Sequence, residues 1–184
     1  GGSVGTQCEP IEGQAIGPDC GVFVKAGSSG TGTQGSPLGS VVQASESLGD
    51  ATRIYVCGSD TFVGSVSLPG GVSIYGGLSC DGWVYTSNLA HPKILGNVDV
   101  PALVIAGPGA SELISLDVEA PDALTDGGSS VGVVVAGASV TAYEMRIVAH
   151  DGRDGAPAPE QEPQLPRAQD GQDGAAEGSS PANA

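Results

Sequence analysis

Apolar residues in this chain come in short runs, each closed by Gly, Pro, Asn, Asp or another small or polar residue. Between Arg53 and His150 they include Ile54-Tyr55-Val56, Val66-Ser67-Leu68, Val72-Ser73-Ile74-Tyr75, Lys93-Ile94-Leu95, Ala102-Leu103-Val104-Ile105, Leu113-Ile114-Ser115-Leu116, Val133-Val134-Val135 and Met145-Arg146-Ile147-Val148. None is long enough for a helix, so each predicts a strand of three to five residues. An earlier run, Gly21 to Ala26, predicts a first strand, and a Gly/Ser/Thr loop follows it to Gly35. A helical period appears at Leu38, Val41, Val42 and Leu48. Ser36 suits an N-cap, Pro37 the first helical position and Gly49 a C-terminal stop, which predicts a short amphipathic helix over 37–48.

Strands this brief at this spacing fit a sandwich or a solenoid. The phrases GGVSIYGG, PALVIAGPG and VGVVVAGAS each place an apolar run before a Gly corner, and they recur at intervals of about 20 to 30 residues. A sandwich calls for longer strands and more aromatic filling, whereas aromatics are 4% of this chain. Composition agrees. With 31 Gly and 15% charged residues, against roughly 25% charged in an ordinary domain, the core is expected to consist of Val, Ile, Leu and Ala. The expectation is an all-β solenoid.

The stretch GVFVKAGSSGTGTQGSPLGSVVQAS, followed by GDATRIYVCGSDTFVGSVSLPGGVSIYGG, resembles the opening of right-handed parallel β-helix proteins of the pectin-lyase-like superfamily. With GG-x-x-C-x-G-W-x-Y (Gly76 to Tyr85), it is most similar to secreted β-helix proteins typical of myxobacteria. The likeness spans about residues 20–150. It implies a short right-handed parallel β-helix whose N-terminal end is capped by the helix at 37–48, hiding strand edges that otherwise recruit other chains. Superfamily enzymes act on acidic polysaccharides, but their Asn-Thr-Asp, Asp-Asp, Gly-His-Gly and Arg-Ile-Lys signatures are missing here.

The chain divides by composition into residues 1–20, a Gly-rich segment with two Cys; 21–150, the β domain; and 151–184, which lacks β-branched and aromatic residues and reads as a polar tail. It begins at Gly1 and its single Met is Met145, as expected of a processed product without its targeting segment. Net charge is −15 in 184 residues, which argues against binding nucleic acid or anionic membranes. No apolar stretch is long enough for a membrane helix, so no membrane insertion is expected. Cys8, Cys20, Cys57 and Cys80 lack the CxxC spacing of zinc sites and read as two disulfides formed in a secreted, extracellular or cell-surface setting. Nearness in sequence suggests Cys8–Cys20 and Cys57–Cys80, one of three possible connectivities.

Candidate chemistry is sparse. Asp117 and Glu119 stand two apart on a strand and face one side, as a carboxylate pair for glycoside hydrolysis or a cation seat requires. The solenoid's cations Arg53, Lys93 and Arg146 are far apart in sequence. Trp83 and Tyr85 are candidates for a sugar-stacking platform, or else pack a loop onto the sheet. Asp151, Asp154, Asp170 and Asp173 lie in DG-x-DG phrases that resemble fragments of calcium loops. His91 and His150 have no nucleophile context. These features point to a non-catalytic structural or interaction protein that associates with itself or with other surface proteins, by end-to-end stacking into a filament or by strand addition. A polysaccharide-binding or polysaccharide-cleaving β-helix and a calcium-stabilised adhesin are the alternatives.

Overall fold

A computed structural model describes residues 7–158. Within them the elements are β1 (Val22–Val24), α1 (Val41–Glu46), β2 (Arg53–Cys57), β3 (Thr61–Val63), β4 (Val66–Pro69), β5 (Ser73–Leu78), β6 (Lys93–Leu95), β7 (Leu103–Ala106), β8 (Ala110–Ala120), β9 (Val133–Ala136) and β10 (Ser139–Ala149). Every pairing between these strands is parallel. One sheet of seven strands runs β1-β2-β5-β8-β6-β3, with β10 pairing β8, and a second sheet runs β4-β7-β9.

The long strand β8 organises the larger sheet. Its Leu113 and Ile114 pair with Ile74 and Tyr75 of β5, while Asp117 to Glu119 pair with Lys93 to Leu95 of β6. Between these stretches Ser115 takes a left-handed backbone (φ 51°), and Glu144 does the same (φ 50°) at the matching point of β10. Such a conformation is uncommon outside glycine and turns the strand. Two adjacent strands bending at one level curl the whole sheet. The Ser115 hydroxyl, 3.0 Å from the Tyr85 hydroxyl, donates to the Glu144 carboxylate at 3.0 Å, which ties the two bends together.

This arrangement corrects the expected fold. The structure does not show a short right-handed parallel β-helix with an N-terminal capping helix. It shows parallel strands in one continuously curled sheet, with a separate three-stranded sheet facing it. Short apolar runs with Gly corners report parallel pairing and burial but not how the sheets close, and that closure depends on the bends at Ser115 and Glu144. The helix is also shorter than the expected 37–48 and is not N-terminal, since it follows β1. Ser40, not Ser36, is the N-cap, accepting from the Val42 amide. Leu38 is extended instead, bridging Val24 and exchanging hydrogen bonds with Phe23 and Lys25. Strand-like pairing satisfied the backbone that a longer helix would have used.

Two apolar clusters sit on opposite faces of the curled sheet. Between the sheets lie Ile54, Ile74, Ile94, Leu103, Ile105, Leu113, Leu116 and Val118, with Val41 and Ala44 of α1 at one end. On the outer face Phe23, Tyr55 and Tyr75 stack in register, with centroids 5.1 and 5.4 Å apart, under Ile16, Trp83 and Tyr85. Cys8–Cys20 closes the 7–20 segment, which Tyr55 holds by donating to the Cys8 carbonyl, and Cys57–Cys80 fastens the 79–86 loop to β2. The pairing by nearness is the one that forms, and it fits an oxidising compartment.

Candidate functional site

Three features outside the core carry polar chemistry or open edges. The first is a charge ladder on the outer face of β6, β8 and β10. In the parallel register Lys93, Asp117 and Arg146 lie side by side. Asp117 is 3.4 Å from His91 Nδ1 and 3.8 Å from Arg146 Nε; Glu119 is 2.7 Å from Lys93 Nζ and 3.1 Å from His150 Nε2. The two carboxylates do share one face, and cations distant in sequence surround both. Register alone made this cluster, which no spacing in the sequence disclosed. The hydrogen bonds from Lys93 and then His150 hold the Glu119 carboxyl below the usual carboxylate range. A general acid for glycoside hydrolysis needs the opposite shift, so this geometry suits cross-strand neutralisation of an acidic molecule.

The second is a cleft of about 320 Å³ beside β2 and β5. Arg53 Nη2 is 2.7 Å from Glu9 Oε1, and Tyr75 donates to Glu112 at 2.7 Å. The Glu112 amide in turn donates to the Ser73 hydroxyl. Burial, then the bond to Glu112, raises the Tyr75 phenol to about 12, so it acts as a neutral hydroxyl at physiological pH. Glu9, Tyr75 and Glu112 were not read as site residues from the sequence, because the first belongs to the disulfide-tethered segment and the others to core strands.

The third is the open end made by β9 and β10. Among the described residues each is the last strand of its sheet: β10 pairs only β8, and β9 only β7. Among the described residues the core continues to this end without a covering strand or helix. Ile94 and Val118 are fully buried, but Ile147, the next residue of their column, is 52% exposed, and Val135 is 45% exposed. Tyr143, beyond Ile114 on the outer face, is 59% exposed.

The remaining candidates fall elsewhere. Trp83 and Tyr85 are each 5% exposed. Trp83 meets Phe23 edge-on at 4.8 Å, and Tyr85 bonds Ser115, so both pin the 79–86 loop to the sheet. Asp151 and Asp154 lie on a segment bonded along residues 122–128: Ala123 donates to the Asp151 carbonyl and Gly127 to that of Asp154. Among the described residues, no group of three or more His, Cys, Asp or Glu is placed to hold a metal ion. Asp170 and Asp173 lie outside the described residues. No described helix is long and apolar enough to cross a membrane. Comparison with family models, curated proteins and solved structures finds no match for this chain, and nothing in it identifies the pectin-lyase-like superfamily.

Proposed function

We propose that this is a secreted, non-catalytic interaction protein that docks another protein on the open end formed by β9 and β10. One observation carries the reading: an eleven-residue edge strand and a four-residue edge strand end a core whose last apolar layer, Ile147 and Val135, is half exposed. An unpaired edge of this length recruits strands from other chains unless it is covered. Both disulfides support an oxidising, extracellular setting. The test is a photo-crosslinking residue at position 147, compared with one at Val63, which is also exposed but lies on β3 at the far end of the sheet order. In the cells that make the protein, position 147 should yield discrete protein adducts and position 63 none. Equal yields, or none at 147, end this reading.

A second reading, carbohydrate binding, draws support from the cleft. Its Arg53 guanidinium, Tyr75 hydroxyl and Glu112 carboxylate are groups that commonly orient a sugar in a small pocket. A glycan array on the intact chain tests it. Signals abolished by Tyr75→Phe would move the reading from the edge to the cleft.

A further inference from the structure

We infer that the protein occupying the open end is a second copy of this chain, related by a twofold axis that crosses β9 and β10, so that assembly closes at two. The inference rests on the docking role proposed above and names its partner. Three observations lead to it. First, the two ends of the fold are unlike. At the starting end β1 is bonded on its free side: Phe23 donates to Gly32, Leu38 to Phe23 and Lys25 to Leu38. There α1 packs against β1, β2 and β4, and β3 offers an edge of three residues. Among the described residues no edge there matches the eleven residues of β10, so head-to-tail growth lacks a complementary surface.

Second, the open end has two edges, on sheets that face each other across one core. A partner must present two strand edges at the same separation. The same end of another copy does so by construction. A twofold rotation sets β10 antiparallel to β10 and β9 antiparallel to β9, while the exposed Ile147 and Val135 layers close on each other.

Third, the edge is electrically balanced. On β10 the charged residues are Glu144 and Arg146, and β9 has none, although the chain carries −15 overall. Charge at this edge does not select a basic partner. Repulsion between two copies comes from the rest of the surface, where salt screens it.

Sedimentation equilibrium of the full chain tests this directly. Mass should rise with concentration and level off at twice the 18.0 kDa chain mass. Added salt should tighten the pair. Val135→Lys and Ile147→Lys, each placing a charge in the closed layer, should weaken it by about tenfold or more, whereas in dilute solution each variant should still melt cooperatively and Ile147→Lys should melt close to Ile147→Ala. Masses that climb past two overturn closure, and dissociation by salt overturns the apolar, charge-balanced contact. A strict monomer up to about 1 mM, far above the range of specific interfaces, also overturns the pair. Hydrogen exchange then separates the two proposals. Unprotected outward amides on β10 would leave the docking role standing with an unlike partner, whereas protected ones in a monomer would show that the chain covers its own edge and would remove both.

Discussion

Residues Ile94, Val118 and Ile147 form one column through three neighbouring strands, and the first and last can be compared by the same substitution. Ile94 has no exposed surface and Ile147 is 52% exposed. Truncating a fully buried Ile to Ala costs about 2–5 kcal/mol, partly from lost transfer energy and partly from the cavity left. Ile94→Ala should therefore fall near 3–4 kcal/mol, because β3, β6 and β8 leave the site little room to collapse. At Ile147 only about half the side chain leaves water in one copy, and the open end leaves no sealed cavity, so Ile147→Ala should cost about 1 kcal/mol. Urea unfolding with the disulfides intact, at concentrations that keep the chain monomeric, measures both through the midpoint at constant slope. If Ile147→Ala costs as much as Ile94→Ala in that dilute regime, the edge is already covered within one chain, and the account of an open end fails. At high concentration the Ile147 cost should grow while that of Ile94 stays fixed, because pairing stabilises the folded state by mass action.

Other consequences are independent of assembly. The Glu119 carboxyl is depressed in the fold, so its share of stability is present above its unfolded value and is lost as pH falls through the folded one. Glu119→Gln should flatten the acid limb of the stability profile by under about 1 kcal/mol, since the pair is solvent-screened; an unchanged limb refutes the ladder's contribution. Gly76 carries no side chain because a Cβ there would strike the Ser115 carbonyl and sit 2.8 Å from Pro92 Cγ. Gly76→Ala should cost about 3 kcal/mol or abolish folding, whereas Gly35→Ala, with nothing within 4 Å, should be silent in the same melt. Removing Cys57–Cys80, which spans 23 residues, should cost about 3 kcal/mol and free the loop bearing Trp83, visible as a red-shifted indole emission. A melting point insensitive to Cys57→Ala with Cys80→Ala would show that packing alone holds that loop.

The strand positions were largely written in the local pattern. Runs such as Ile54-Tyr55-Val56 and Leu103-Val104-Ile105 fall within β2 and β7; β2 is buried on both faces and needs consecutive apolar residues, while β7 buries Leu103 and Ile105 on one face only. The disulfide partners were legible for a similar local reason: both pairs are neighbours in sequence. The short β3, Thr61–Val63, escaped notice, since three residues with one buried Phe make no periodic signal. The lengths of β8 and β10 were also hidden, as Ser115 and Glu144 interrupt the apolar pattern while the backbone pairing continues through them.

Only tertiary structure decided how the sheets close and which side chains meet. Curling rests on two left-handed residues stacked in register, and neither Ser nor Glu advertises that conformation in a sequence. The ladder joining His91, Lys93, Asp117, Glu119, Arg146 and His150, and the cleft joining Glu9 to Glu112, arise from pairings across tens of residues. Local patterning sets what each segment is. Long-range register sets what it touches, and the open end made by β9 and β10 follows from that pairing alone.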